Sequence, residues 1–434
     1  MNIGFISLGC AKNLVDSEMM LKILETAGCK IVSDPNDADA IIINTCGFIE
    51  PAKQEAIDTI KEMKTYGKKL IVTGCYAYRY KAKLLKEMPF IDRVITLADY
   101  PKIHLILEEV FKDYHLKFQP LKYENRLLTG SVFTPYVKIS EGCNNNCTYC
   151  AIPLIRGKFR SRAFEDIVLE CKKLVANGAI ELNLISQDTT RYGSDLNKEG
   201  KSLLPELLRE LSKIENVKML RILYLYPDEI TDELIQEVKT NDLVANYFDI
   251  PIQHISSKVL KRMNRRGDEA FLRGLLNKIK TEIPDSIIRT TYIVGFPGET
   301  EEDFELLYNF TEEFEFDRLG VFAYSKEEDT ASYDFVEQLD EETKTERLDK
   351  IMKLQKKISR KRNRALKNTI HNTIVESYDP DSKFYYGRSY AFAPDDIDGM
   401  IVFQSKKELL MGEMVKVLIK STFEYDLIGD AIEE

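Results

Sequence analysis

The sequence lacks any long apolar segment. No run of about 18 uncharged apolar residues occurs, and the opening MNIGFISLGC has no basic region, long apolar stretch or small-residue cleavage site. These absences argue against a membrane-spanning helix and a secretory signal, so we expect a cytoplasmic protein without a membrane partner. Internal repeats and low-complexity tracts are also missing.

An excess of positive charge is missing too. The chain has 61 lysine and arginine residues against 71 aspartate and glutamate residues, a net charge of −10, which argues against general binding to a nucleic acid backbone. Of its 434 residues, 44% are hydrophobic and 30% are charged, as in soluble globular proteins. At about 150 residues per domain, we expect two to four domains, each with its own core.

The pattern of elements predicts a multi-domain α/β protein. In the first hundred residues short apolar runs alternate with helical patterns, which favours an open parallel α/β sheet in a domain at 1–118. Asp16 or Ser17 is expected to cap the first helix. Six further strands alternate with helices and predict a partial TIM-like β/α barrel, closed by a linker helix, at 128–365. Short strands without helices then predict a small antiparallel β-barrel at 367–434.

Three cysteines follow the first barrel strand in the segment ISEGCNNNCTYCAIP. They are Cys143, Cys147 and Cys150. A structural zinc site usually needs four ligands, and the nearest later cysteine, Cys171, lies on a helical pattern. A 4Fe-4S cluster with three thiolates instead leaves one iron open to a small molecule. This spacing, with the aromatic Tyr149 before the last cysteine, is typical of radical S-adenosylmethionine (SAM) enzymes.

A second set of three cysteines follows three strands of the first domain. Cys10, Cys46 and Cys75 each lie in a short loop after a strand. Because the carboxyl ends of parallel strands meet at one edge of a sheet, these residues should converge. They predict a second 4Fe-4S site, with buried thiols as the alternative. Cys29 and Cys171 are expected to be buried in cores.

Other polar residues at strand ends have less specific patterns. Tyr149 and Gln187, with the neighbouring Asp188, are candidates to contact SAM, and strand capping is the alternative for the last two. His254 ends a barrel strand and could face the active site. A structural role, packing the end of that strand, explains it at least as well. The glycine-rich segment 292–303 lacks the lysine of a phosphate loop, and its Thr300 should cap the next helix with Asp303. The pattern identifies no catalytic side chain beyond the cluster ligands.

The chain resembles the radical SAM methylthiotransferases over nearly its whole length. Six cysteines in this arrangement, an α/β domain, a radical SAM barrel and a terminal barrel called TRAM are shared with that family. SLGCAKNLVDSE, CAIPLIRGKFRSR and SQDTTRYG are similar to the members that modify a ribosomal protein. Ala11, where those proteins often have proline, and HISSKVL, without the aspartate often seen after its serine, depart from the pattern.

The resemblance implies a function. A SAM-derived radical would abstract hydrogen from the β-carbon of an aspartate in protein twelve of the small ribosomal subunit. The cluster at Cys10, Cys46 and Cys75 would then supply sulfur, and a second SAM the methyl group. An electron donor and a sulfur source would be partners. The alternatives are a transfer RNA adenosine methylthiotransferase and, more remotely, a non-catalytic zinc-binding adaptor.

The charge of the C-terminal segment helps to distinguish an RNA substrate from a protein substrate. This argument does not depend on the resemblance. Residues 367–434 contain 7 lysine and arginine residues against 13 aspartate and glutamate residues, a net charge of −6. An RNA-binding barrel should be basic, whereas an acidic one suits a basic ribosomal protein. We expect Asp395, Asp396 and Asp398 to form an exposed acidic turn that contacts it. The basic run at 356–367 is expected to be a solvated helix face, with contact to ribosomal RNA as the alternative.

Overall fold

A computed structural model of the chain describes residues 1–120, 122–395 and 397–432. Within these ranges, no helix combines the length and the hydropathy that crossing a bilayer requires.

The N-terminal region is an open, five-stranded parallel sheet flanked by helices, as predicted. Its strand order is β2-β1-β3-β4-β5. The strands are β1 (Asn2–Ser7), β2 (Lys30–Val32), β3 (Ala40–Thr45), β4 (Lys69–Gly74) and β5 (Arg93–Ile95). The helices are α1 (Ala11–Thr26), α2 (Glu50–Lys64), α3 (Cys75–Arg79), α4 (Lys81–Glu87) and α5 (Ile103–Val110). Sequence analysis identified the three central strands and missed β2 and β5, which are edge strands of three residues each.

The predicted cap of α1 is wrong. The helix begins at Ala11 and its N-cap residue is Cys10, so Asp16 and Ser17 lie inside the helix. Both side chains are buried, because this face of α1 packs against other elements and not solvent. Asp16 pairs with Lys138 of the central region. Ser17 accepts a hydrogen bond from Asn44 at 2.8 Å.

The central region is a partial barrel of six parallel strands, as predicted. Two three-stranded sheets, β6-β9-β10 and β11-β12-β13, meet at a bridge between Leu220 and Val244. The strands, with the small hairpin β7/β8, are β6 (Tyr136–Lys138), β7 (Ser140–Glu141), β8 (Arg160–Ser161), β9 (Glu181–Ile185), β10 (Met219–Ile222), β11 (Tyr247–Asp249), β12 (Ile287–Val294) and β13 (Arg318–Ala323). The helices are α6 (Ile152–Arg156), α7 (Phe164–Ala176), α8 (Leu204–Leu211), α9 (Asp232–Thr240), α10 (Ser257–Arg262), α11 (Glu269–Glu282), α12 (Glu301–Phe314) and α13 (Glu341–Ala365). Thr300 and Asp303 form the predicted capping box at the start of α12.

Helix α1 packs on the inner face of this partial barrel. Alternate residues of β9 face opposite ways: Leu182 and Leu184 pack under the barrel helices, while Ile185 shares a core with Val15 and Met19 of α1. This packing places the start of α1, and therefore Cys10, against the barrel.

The C-terminal region is a closed five-stranded barrel that follows α13. Its strands are β14 (Ile370–Asp379), β15 (Phe384–Arg388), β16 (Ile401–Gln404), β17 (Met414–Thr422) and β18 (Leu427–Ala431). The predicted barrel is confirmed, but not every pair is antiparallel, because β16 and β18 pair in parallel. Arg388 pairs with Glu181, the first residue of β9, at 2.8 Å. The small barrel therefore covers the amino ends of the central strands and leaves their carboxyl ends open.

The predicted exposed acidic turn of this barrel is wrong for Asp398. Asp398 is buried and accepts a hydrogen bond from Tyr247 at 2.5 Å. The Asp395 carboxylate accepts one from Tyr136, and Asp396 lies outside the described residues. Asp395 is exposed, as predicted. Since both tyrosines begin central strands, Asp395 and Asp398 also join the two barrels.

Candidate active site

The loop with Cys143, Cys147 and Cys150 lies at the carboxyl ends of the barrel strands, between β7 and α6. Each of these cysteines is a partly exposed free thiol. The loop folds back on itself, since the amide of Cys150 donates to the carbonyl of Cys147 at 3.0 Å. Burial, together with the nearby Asp188 and Cys147, raises the pKa of Cys143 to about 11. Three thiols therefore share one loop beside the barrel mouth.

Gly142 allows the loop to turn directly before its first cysteine. Its φ is +78°, and a Cβ there would lie 2.3 Å from the carbonyl oxygen of Lys158. Only glycine fits this close approach of two backbone segments. The amide of Cys143 then donates to the carbonyl of Gly157 at 3.2 Å, so the loop is anchored on both sides.

A buried cation that sequence analysis missed lies beside the loop. The Arg265 guanidinium is 3.9 Å from the sulfur of Cys147 and 4.0 Å from the ring centroid of Tyr226. The Tyr226 hydroxyl is 3.7 Å from the same sulfur. Arg265 follows α10 in sequence, and only its position after a barrel strand and short helix could have indicated this role.

The two predicted SAM-contacting residues make different contacts. Tyr149 lines a cavity of about 900 Å³ and packs edge-on against Phe296, with ring centroids 6.4 Å apart. The side-chain amide of Gln187 makes two hydrogen bonds next to the loop. Its oxygen accepts from the Gly142 amide at 2.9 Å, and its nitrogen donates to Glu141 at 3.0 Å. In this structure Gln187 therefore supports the loop, and its contact with SAM stays a prediction.

Asp188 and His254 are buried structural groups. The Asp188 carboxylate accepts hydrogen bonds from Asn145 at 2.8 Å and Thr190 at 2.6 Å, which also supports the cysteine loop. His254 is fully buried, and its Nδ1 accepts from the Ser256 amide at 2.9 Å. The packing interpretation of His254 is the one this geometry favours.

Glycine contacts bring the three N-terminal cysteine loops together. Strands β1, β3 and β4 are neighbours in the parallel sheet, so Cys10, Cys46 and Cys75 follow them at the same edge. A Cβ on Gly9, whose φ is +97°, would lie 2.8 Å from the Cβ of Cys46. One on Gly47 would lie 2.7 Å from the Cα of Tyr76. These close approaches connect the first loop to the second and the second to the third.

The electrostatics of this second site are set by burial and two cations. Burial raises the pKa of Cys75 to about 11, and the nearby Arg156 partly offsets this. Burial also acts on Cys10, but Lys12 and Arg156 outweigh it and hold its pKa below the ordinary value. The three thiols thus share one electrostatic environment.

The spacing of the side chains bears on the zinc alternative. Among the described residues, no three histidine, cysteine, aspartate or glutamate side chains are close enough to hold a single metal ion. A zinc ion draws its ligands to about 2.0–2.3 Å, whereas in a 4Fe-4S cluster each cysteine binds a different iron. Each set offers three thiols, the ligand type that a 4Fe-4S cluster takes.

The two cysteine sites adjoin each other and a common cavity. Cys75 packs in one core with Ala151, which follows Cys150 directly in the chain, and with Ile155 of α6. The cavity of about 900 Å³ lies where the loop after Cys46 meets the ends of β12 and β13. Its lining includes Phe48, Tyr149, Gln253, Thr291, Tyr324 and Glu327. Residues close in sequence to both sites, Phe48 and Tyr149, therefore line the same cavity.

Three family models match the chain. They are described as uncharacterized protein family UPF0004 (residues 2–96), radical SAM superfamily (137–311) and TRAM domain (369–432). Among solved structures, the radical SAM methyltransferase TsrM from Kitasatospora setae, with cobalamin and a 4Fe-4S cluster bound, has a TM-score of 0.52 at 14% identity, covering 74% of each chain. This last similarity concerns the fold alone.

Curated relatives match over the full length. A protein of Acetivibrio thermocellus is 47% identical, over 100% of this chain and 98% of the relative. One of Alkaliphilus oremlandii is 49% identical, over 100% of both. Both relatives are named ribosomal protein uS12 methylthiotransferase RimO.

These matches confirm the resemblance. The fold and the radical SAM match define a radical SAM enzyme, a class that uses SAM and a 4Fe-4S cluster. Within this class, the chain belongs to the RimO family of ribosomal protein uS12 methylthiotransferases.

Proposed function

We propose that this enzyme methylthiolates the β-carbon of an aspartate in ribosomal protein uS12, in the cytoplasm. The observation that supports this most is the pair of three-cysteine sites, which adjoin through Cys75 and Ala151. Phe48, near Cys46, and Tyr149, next to Cys150, line one cavity. A reaction that inserts sulfur into an unactivated carbon needs a radical source and a sulfur source close to the same atom.

The two sites take different roles in this proposal. Cys143, Cys147 and Cys150 would hold the radical SAM cluster, which would supply the electron for reductive cleavage of SAM. Cys10, Cys46 and Cys75 hold an auxiliary 4Fe-4S cluster with one iron free for a transferable sulfur. Three thiolates at each site, with no nearby fourth, are consistent with one open iron per cluster.

The surrounding side chains bind and shield the reactants. Tyr149, Ile293 and Val321 form an apolar part of the cavity wall, and Phe296 packs against Tyr149. Such a wall excludes water from a radical. Arg265 places a buried positive charge beside Cys147, suited to the carboxylate of SAM. Gln187 and Asp188 keep the cysteine loop in place. An electron donor and a sulfur source complete the reaction as partners.

The substrate is tested by comparing cells with and without this gene. Mass spectrometry of uS12 should show the mass of one methylthio group on one aspartate only when the gene is present, and a Cys46→Ala gene should not restore it. Nucleosides of bulk transfer RNA, analysed from the same cells, should not change. A methylthio group that follows the gene in transfer RNA and not in uS12 would overturn the proposal.

A further inference from the structure

Arg156 connects the surroundings of the two cysteine sites. It is the last residue of α6, the short helix after Cys150, and its side chain is 3% exposed. One terminal nitrogen, Nη2, lies 3.3 Å from the sulfur of Cys75 and 3.2 Å from Oδ1 of Asn13. The other, Nη1, donates to Asp16 at 2.6 Å and to Glu141 at 3.2 Å.

These partners belong to segments that carry both sets of cysteines. Asp16 lies on α1, which begins directly after Cys10, and Glu141 lies two residues before Cys143. The planar guanidinium can hold several acceptors in fixed directions, which a lysine ammonium cannot do. Arg156 therefore fixes elements of both sites with one buried group.

The carboxylates around Arg156 do not need its contact with sulfur. Lys138 is buried and also pairs with Asp16 and with Glu141, in the latter case at 2.8 Å. The two cations and two carboxylates balance in charge. The N–H directed at Cys75 is thus available to act on the thiolate and on what that thiolate binds.

We propose that Arg156 is a positioning residue that raises the reduction potential of the auxiliary cluster by donating a hydrogen bond to its ligand Cys75. This inference rests on the proposed assignment of that cluster. Hydrogen bonds to the sulfurs of an iron–sulfur cluster, and positive charge near it, favour the reduced form, which carries more negative charge. Burial strengthens the effect, because little water screens it.

The test measures the potential of the auxiliary cluster alone. A variant with Cys143, Cys147 and Cys150 all changed to Ala removes the radical SAM cluster and serves as the background. Arg156→Gln in this background should shift the midpoint of an EPR-monitored redox titration to a more negative potential. Arg156→Lys, which keeps the charge but not the fork of donors, should recover part of the shift.

Arg126→Gln is the matched control. Arg126 is also a buried arginine that pairs across the same region, with Glu18 of α1 at 3.2 Å and with Glu170 at 2.8 Å. Its ion pairs do not involve a thiol. This change should weaken the packing of α1 against the barrel by a similar amount and leave the midpoint where it is in the background.

Each result of the redox titration either supports or overturns the proposed role of Arg156. Equal midpoints for the background and Arg156→Gln, at equal iron content, would overturn it, as would an equal shift in the Arg126→Gln control. If Arg156→Gln holds no cluster, Arg156→Gln with Asp16→Asn restores the charge balance, and the same comparison is made with that pair. A background without iron would instead overturn the two-cluster assignment, and this inference with it.

Discussion

Arg79 donates to Glu327 at 2.8 Å, and the two side chains are each only 3% exposed. Arg79 ends α3, the helix that begins at Cys75, whereas Glu327 follows the last barrel strand and lines the cavity. Lys53 of α2 donates to the same carboxylate at 2.8 Å. Two cations of the N-terminal region thus converge on one acid at the barrel mouth and hold the N-terminal cysteines over it.

Glu327→Gln should destabilise the protein by about 3–5 kcal/mol, because two buried cations lose their partner. Urea unfolding measures this. Burial acts to raise the pKa of Glu327, but hydrogen bonds from Lys53, Ser325 and Arg79 hold it below its ordinary 4.5. The stabilisation is therefore present above about pH 4.5 and decreases as pH falls further. Glu328→Gln, at an exposed neighbour, is the control; an equal loss there would contradict the assignment.

Sequence analysis predicted the features that local patterns encode. The spacing of Cys143, Cys147 and Cys150, and the recurrence of cysteine after three strands, need no knowledge of how the domains pack. Arg156 and Arg265 were missed because their partners are far away in the chain: Cys75 is 81 residues from Arg156, and Cys147 is 118 residues from Arg265.

The errors have the same physical origin. Asp398 looks like a turn residue, and turns are usually exposed. Its carboxylate is buried only because the small barrel packs against the first residue of a central strand, Tyr247. Aspartate is a common N-cap residue, which is why Asp16 was predicted to cap α1. The loop after β1 ends earlier, at Cys10, so the helix begins before Asp16.

Iron content should separate the two cysteine sites. Reconstituted protein should hold about eight irons per chain, and about four after Cys143, Cys147 and Cys150 are all changed to Ala, because each set holds one four-iron cluster. Iron and sulfide assays measure this. Cys171→Ala, which changes a fully buried thiol in the core, should keep about eight. Loss of all iron from the triple variant would indicate a single shared site.

Variants at the two cysteine sites should also lose different steps of the reaction. Cys46→Ala should still cleave SAM to 5′-deoxyadenosine, because the radical SAM loop is intact, but should not insert sulfur. Cys147→Ala should lose both activities. Chromatography of 5′-deoxyadenosine and mass spectrometry of uS12, from the same anaerobic reactions, measure the two steps. An equal loss of cleavage in both variants would refute this division of roles.

Binding to uS12 should depend on the exposed acids of the terminal barrel. Asp381, Glu408 and Asp430 are exposed, and exposed charges are screened over about 8 Å at physiological ionic strength. Reversing all three to Lys should weaken binding and reduce its salt dependence, measured by calorimetry at two salt concentrations. A matched reversal on α2 replaces the exposed residues Glu55, Asp58 and Glu62. If that reversal weakens binding as much, only net charge matters.

His254 should make stability depend on pH below its ordinary pKa. Burial lowers the pKa of His254 from 6.5 to about 3, so between these values the unfolded chain binds a proton that the folded protein does not. The contribution of His254 to the free energy of unfolding is fully present above about pH 6.5 and should fall by about 1.4 kcal/mol per pH unit below it, while Glu299, with its pKa raised to about 7, acts in the opposite direction. Urea unfolding at about pH 7.5 and pH 5 should show this loss in the parent, and a loss about 2 kcal/mol smaller in His254→Asn, whose amide oxygen can still accept from Ser256. His115→Asn, at an exposed histidine, should behave as the parent. If His254→Asn keeps the full slope, His254 is not the group responsible.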